Sequence, residues 1–157
     1  MEIMNWSVIL SDISIFLPLV VAVTLGSFIG LEREYKHKPA GMKTHALVSL
    51  GAALFMVLGD HIFYNFAHLG INYDPSRILA AVVVGVGFIG GGLIMQRNDQ
   101  VEGLTTAAGV WIAAAVGAAT GMGLYVLSFF VTLLILFIFH VIGSFEDRFV
   151  RHKEDIL

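Results

Sequence analysis

No Asp, Glu, Lys or Arg occurs from Ile13 to Leu31, from Thr44 to Gly59, from Ile78 to Gln96, or from Gly103 to Phe145. Moving a charge into hydrocarbon is costly, so long uncharged runs of this kind are what a bilayer selects. The chain of 157 residues is 57% hydrophobic and 13% charged, where a soluble domain carries about 25% charge. The pattern predicts an all-α integral membrane protein.

A transmembrane helix needs roughly 20 apolar residues, with a range of about 17–25. The runs predict helices near 13–32, 43–60 and 77–96. The last run is too long for one crossing. Gly121-Met122-Gly123 divides it, because closely spaced glycines favour a tight turn, giving helices near 104–120 and 124–143. The N-terminus carries Glu2 and Asp12 but no basic residue before Arg33, so the first helix reads as retained rather than as a cleaved signal. The expected organisation is a five-helix membrane domain over 1–143 and a short cytoplasmic tail over 144–157, with no soluble C-terminal domain.

Five crossings place the termini on opposite sides, and the basic residues orient the chain. Arg33, Lys36, Lys38, Lys43, Arg97, Arg148, Arg151 and Lys153 share one side, which is eight of the nine Lys and Arg residues. Arg77 alone falls on the other. The expectation is therefore N-terminus out and C-terminus in. The net charge of -3 comes with no basic stretch dense enough for nucleic acid. The absence of cysteine excludes disulfides and thiolate metal sites.

Helices associate in lipid through small residues that let backbones approach. Gly26 and Gly30 make such a pair in the first helix. Gly85, Gly87, Gly90, Gly91 and Gly92 crowd the third, and Gly109, Ala113, Gly117 and Gly121 form an i, i+4 row in the fourth. The fifth helix is rich in Leu, Ile, Val and Phe. The composition predicts helices one, three and four at the packed centre and helix five facing lipid. Phe28-Ile29-Gly30 recurs as Phe88-Ile89-Gly90, and Thr44-x-Ala46-x-Val48 recurs as Thr106-x-Ala108-x-Val110. The reading is a parallel two-helix repeat or chance likeness between apolar segments.

Two polar clusters are candidates for function. The cytoplasmic one comprises Glu32, Arg33, Lys43, Thr44 and His45, with Thr105 and Thr106 at the start of the fourth helix. Glu32 falls at a helix C-terminus, where an acid opposes the helix dipole, so it needs compensation from Arg33, Lys43 or His45. The cluster either handles cations or a partner, or fixes the loop as an ion-pair network. The outer one comprises Asp60, Asp74 and Arg77. Asp74-Pro75 reads as an N-cap followed by proline at the first helical position, and Arg77 as a partner for Asp74 or Asp60 or as a site for an anion. Either Thr105 or Thr106 is a cap for the fourth helix. Trp111 reads as an interface anchor, and His140 as a satisfied polar residue.

No Walker loop, HExxH, Ser-His-Asp arrangement or dinucleotide fingerprint occurs, so the chain reads as non-enzymatic and without an organic cofactor. No carboxylate lies in the middle of a predicted helix, and Mg²⁺ usually takes one or two. A dehydrated Mg²⁺ site at the midplane has no evident ligands, whereas a hydrated ion passing backbone carbonyls remains open.

The stretch GLEREYKHKPAGMKTHALVSLGAALF over 30–55, DPSRILAAVVVGVGFIGGGLI over 74–94 and GLTTAAGVWIAAAVGAATGMGLY over 103–125 together resemble the MgtC/SapB family of bacterial inner-membrane proteins. The matching positions include Glu32, Arg33, the Pro39-Ala40-Gly41 turn, Thr44, Asp74, Arg77, Thr105 and Thr106. The resemblance implies a multi-pass protein of the bacterial cytoplasmic membrane with about five helices and a role in magnesium-linked ion homeostasis. It implies a membrane partner such as the rotary ATP synthase. Many relatives carry a soluble C-terminal domain, and nothing of that domain is carried over. The leading expectation is a modulator of ion homeostasis. The alternative is an oligomeric transporter or channel, with a dimer favoured, for Mg²⁺ or another cation.

Overall fold

The structure is a computed structural model that describes the backbone of residues 6–66, 74–97 and 99–143, and the side chains of 15–63, 74–97 and 99–143. Five α-helices follow in order: α1 Trp6–Tyr35, α2 Met42–Phe66, α3 Pro75–Gly91, α4 Leu104–Gly121 and α5 Tyr125–Phe137. A single π-helical turn, Ile138–Ile142, extends α5. The chain is an all-α membrane protein: the stretches Ile15–Tyr35, Met42–Phe63, Leu104–Gly121 and Tyr125–Ile142 are each long and apolar enough to cross a bilayer. The third helix has 17 residues, about 25 Å of rise, at the short end of what a span requires.

The boundaries have local causes. α1 ends where the N–H of Lys38 reaches the carbonyl of Arg33 at 2.9 Å and the N–H of His37 reaches Glu34 at 3.0 Å. His37 adopts φ 52°. This is a Schellman closure, with His37 at the left-handed position usually given to glycine. α3 opens on Asp74, whose carboxylate accepts from the Ser76 N–H at 2.9 Å, with Pro75 at the first helical position. The turn between α4 and α5 falls at Met122–Leu124, where Gly123 has φ 78°.

Two features differ from the sequence reading. The third helix stops at Gly91, not near 96. An antiparallel hairpin follows, β1 Met95–Arg97 paired with β2 Gln100–Glu102. Ile94, Met95 and Gln96 lack charge, so they looked like a continuing span; glycines at 90, 91 and 92 weaken the helix at that point. The first helix also begins earlier than expected, at Trp6.

The packed centre is a correction as well. It consists of α1, α2 and α4, while α3 lies at the edge with Val86 and Gly90 as its buried residues. Ten of the 18 residues of α4 are buried. One face, with Val110, Ala114 and Ala118, joins Ala40, Ala52, Met56 and Val86. Another, with Ala113 and Val116, joins Leu25, Ile29, Ile135 and Phe139. A Cβ on Gly121 would lie 2.6 Å from the Ala53 carbonyl oxygen, and one on Gly117 would overlap the Ser49 carbonyl. On the α1 side, a Cβ on Gly26 would lie 2.7 Å from the His45 carbonyl oxygen, and one on Gly30 would lie 2.5 Å from Met42 Cα. Gly85, Gly87 and Gly91 have nothing within 4 Å of a Cβ position, so among the described residues they make no close helix contact. Density of glycine in the sequence did not mark the centre, because close approach needs glycine on one partner and a small residue such as Ser49 or Ala53 on the other.

The repeated Phe-Ile-Gly segments correspond only in part, since Ile29 is fully buried and Ile89 is exposed. Gly30 lies against Met42 at the opening of α2, and a Cβ on Gly90 would contact Ala107 at the opening of α4, more loosely at 3.6 Å. α5 keeps Ser128, Thr132, Ile135 and Phe139 turned inward, while Val126, Phe129, Phe130 and Phe137 are exposed.

Candidate functional site

Buried hydroxyls within the bundle bond to backbone carbonyls. Ser49 donates to Ala22 at 2.9 Å across the α1–α2 contact, Thr120 donates to Val116 at 2.7 Å, and Thr132 donates to Ser128 at 2.8 Å. Such bonds let hydroxyls sit in an apolar core at little cost. The ionic chemistry lies instead at one end of the bundle, where α1 finishes, α2 and α4 begin, and α5 passes into its π turn.

There the carboxylate of Glu32 accepts from Arg33 Nε at 2.6 Å, and both side chains are largely buried. The guanidinium also sits over the Phe139 ring, with Cζ 3.9 Å from the centroid. Arg33 is therefore held between an acid from its own helix and an aromatic from α5, an arrangement suited to the planar, weakly hydrated guanidinium. His45 is fully buried beside them. Its Nδ1 lies 2.9 Å from the Gly41 carbonyl oxygen. A carbonyl only accepts, so Nδ1 carries the proton and, in the neutral ring, Nε2 is left as an acceptor. His45 Nε2 and Glu32 Oε1 are both buried without a hydrogen-bond partner. Each such orphan costs about 1–3 kcal/mol. Gly109 of α4 makes room for His45 and Phe139, since a Cβ there would lie 3.3 Å from His45 Nε2 and 3.1 Å from Phe139 Cζ.

The cytoplasmic candidates thus separate. Glu32, Arg33 and His45 come together. Thr44 is half-buried, Thr106 is buried, and Lys43 and Thr105 are exposed. Neither threonine caps α4, whose N-cap is Gly103 at φ 91° with no side-chain bond. Three contributors were not on the candidate list. Glu34 Oε2 accepts from the Met42 N–H at 2.9 Å and closes the start of α2; the clue was an acid facing the next helix across a Pro-Ala-Gly turn. Gly109 stood in the small-residue row of the fourth helix, which marks packing rather than a polar site, and Phe139 left no signal beyond its residue type.

At the other end, Asp60, Asp74 and Arg77 are all exposed. Among the described residues Arg77 forms no ion pair with either acid; its N–H bonds the Asp74 carbonyl at 3.1 Å within the first turn of α3. The bonds from Ser76 hold the Asp74 carboxyl below its ordinary range. Trp111 is 44% exposed and lines an apolar groove of about 220 Å³ between α3 and α4, with Leu79, Val83 and Ala115. His140 is exposed on the π turn. The tail, including Phe145, lies outside the described residues.

Close-packed apolar helices with buried hydroxyl-to-carbonyl bonds and an ionic cluster at one end define a multi-pass α-helical membrane protein. Residues 19–148 match the MgtC family. The chain belongs to that family. It is 45% identical over 126 residues to the Escherichia coli (strain K12) protein named "Putative magnesium transporter YhiD", covering 78% of this chain and 59% of the relative. It is 40% identical over 136 residues to the Bacillus subtilis protein SapB, covering 85% and 57%. It is 41% identical over 106 residues to the Brucella abortus protein MgtC, covering 68% and 42%. The chain thus spans little more than half the length of the first curated relatives. No solved structure matches it.

Proposed function

We propose that this protein is a non-enzymatic modulator of magnesium-linked ion homeostasis in a bacterial inner membrane, acting through a membrane protein partner. The carrying observation is the backbone-to-backbone contact of α4 with α2 at Gly117 and Gly121, and of α2 with α1 at Gly26 and Gly30. Helices in such contact leave no room for an ion between them within one chain. The polar chemistry gathers at one end of the bundle, where the exposed Glu34 and Lys43 beside the buried cluster offer a partner a charged surface. The name of the YhiD relative supports the magnesium link. The family resemblance suggests the rotary ATP synthase as a partner. The basic residues support an N-out, C-in orientation, which sets the Glu32–Arg33 cluster on the cytoplasmic side.

A second reading draws on α3. Gly85, Gly87 and Gly91 face open space beside the exposed Val84 and Phe88. A dimer or larger homo-oligomer joined there would place a path for Mg²⁺ between copies rather than through one. Mg²⁺ entry into liposomes under set gradients and voltages separates the two. The modulator gives no flux above protein-free liposomes, and affinity isolation from native membranes recovers a membrane partner. A flux that is lost in a Glu32→Gln, Asp74→Asn variant establishes transport and overturns the modulator.

A further inference from the structure

Two apolar spans meet at a short basic loop. The span Ile15–Tyr35 has 21 residues, about 32 Å of rise, against a hydrocarbon core about 30 Å thick. The next span begins at Met42. Residues 36–41 therefore turn within the headgroup layer. The fold fixes them there. The Lys38 N–H bonds the Arg33 carbonyl at 2.9 Å, and Glu34 accepts from the Met42 N–H at 2.9 Å. Ala40 is buried in the cluster that holds Val110 and Ala114. A Cβ on Gly30 would lie 2.5 Å from Met42 Cα, so the end of α1 and the start of α2 are drawn together.

The acids of this segment are engaged and its lysines are not. Glu32 is held by Arg33, and Glu34 closes the start of α2. Among the described residues Glu32–Arg33 is the one ion pair. Lys38 and Lys43 are exposed and Lys36 is half-buried. With Glu32 and Arg33 cancelling, three ammonium groups stand against one exposed acid, Glu34. Tyr35, 83% exposed, ends the first span, at the depth where aromatic side chains gather in a bilayer. The rule that orients membrane proteins asks only that lysines lie on one side. It does not ask for a loop pinned by Ala40 with its acids tied back.

We propose that the α1–α2 loop binds the headgroup of an anionic phospholipid: the ammonium groups of Lys36, Lys38 and Lys43 take its phosphate oxygens, and Tyr35 lies beside the top of its acyl chains. Basic groups on a membrane protein just outside the hydrocarbon attract such headgroups. The depth of the loop selects a lipid, which already occupies that layer. The charge selects an anionic one, because a zwitterionic headgroup brings a cation that the lysines repel. The inference goes beyond the modulator reading and does not depend on it.

The test places the full chain in nanodiscs of phosphatidylcholine with a minor fraction of phosphatidylglycerol. Native mass spectrometry then counts the lipids that stay on the released protein. Wild type is expected to retain phosphatidylglycerol well above its share of the bilayer. Lys38→Gln and Lys43→Gln are each expected to lower the relative affinity about fivefold, the factor expected for one lysine at an anionic surface. Changing Lys36, Lys38 and Lys43 together to Arg keeps the charge and is expected to keep the enrichment. Arg97→Gln removes a charge from the neighbouring hairpin and is expected to leave it unchanged. Both leaflets hold the same mixture, so a variant that inserts inverted is read in the same way. Circular dichroism identifies a variant that fails to fold, and the wild-type and arginine proteins then decide. No enrichment in wild type, an enrichment that survives loss of all three lysines, an equal loss in Arg97→Gln, or displacement of the lipid by millimolar inorganic phosphate would each overturn the proposal.

Discussion

The Arg33 guanidinium sits over the Phe139 ring, Cζ 3.9 Å from its centroid, while its Nε holds Glu32. One side chain thereby ties the end of α1 to the end of α5 through a contact that spans more than a hundred positions of sequence. Arg33→Ala would strand a largely buried carboxylate, and breaking a buried pair in this way costs about 3–5 kcal/mol. Phe139→Leu keeps the ion pair and removes the cation–π contact, for a loss of about 1–2 kcal/mol. Arg33→Lys is expected to fall between them, since an ammonium cannot stack. Thermal denaturation in detergent with intrinsic fluorescence ranks the three. Equal losses for Arg33→Ala and Phe139→Leu would mean that the ion pair contributes nothing.

The glycines divide into two classes with opposite expectations. A methyl on Gly117 collides with the Ser49 carbonyl, and one on Gly121 crowds Ala53. Gly117→Ala should therefore force α2 and α4 apart and destabilise the chain by about 3 kcal/mol or more, the upper range for overpacking. Gly85→Ala meets open space and should be neutral or slightly stabilising in the monomer, because alanine favours the helix. Paired unfolding curves of the two variants check this. A Gly85→Ala protein that is monomerically stable yet loses a homo-oligomer on size-exclusion would show that the α3 face is used between copies.

The helices were legible in the chain because the absence of charge is a physical requirement of the bilayer, and Gly121-Met122-Gly123 divides α4 from α5 as its residues require. The end of α3 was not legible. Ile94, Met95 and Gln96 satisfy the same requirement whether they continue a helix or enter a strand. The centrality of α2 was hidden for a related reason: Ser49 and Ala53 receive the glycines of α4 without being conspicuous themselves. At the site, Glu32, Arg33 and His45 stood out as polar residues at the border of apolar runs. Phe139 is one of 12 phenylalanines, and nothing in its neighbourhood says which one an arginine will cover. Glu34 reads as a surface acid until the turn brings Met42 to it.

The start of α3 should respond to acid. Bonds from Ser76 lower the Asp74 carboxyl below its ordinary range. An acid lowered in the folded state lends stability above its unfolded value, and the contribution is lost as pH falls through the folded value. The first turn of α3 is therefore expected to hold at neutral pH and loosen as pH drops below about 4. Asp74→Asn keeps a cap and removes the titration. The Asp74 carboxyl and Ser76 amide NMR shifts, followed together from neutral pH into acid, check the link. A Ser76 amide that moves equally in Asp74→Asn would break it.

Two left-handed residues make opposite predictions. Gly103, at φ 91°, joins the hairpin to α4, and a Cβ there would overlap the Leu93 carbonyl. Leu93 packs on the cluster that contains Ala40 and Val110. Gly103→Ala combines the cost of a side chain in the left-handed region, about 1–2 kcal/mol, with displacement of Leu93, so the loss should exceed that figure. His37, at φ 52°, closes α1 where glycine is the usual residue. His37→Gly should recover up to about 1 kcal/mol, reduced by the extra freedom glycine gives the unfolded chain. Denaturation midpoints of the two variants, measured in the same detergent, should move to opposite sides of wild type. A destabilised His37→Gly would mean that the imidazole makes a contact whose loss outweighs the relief of its backbone.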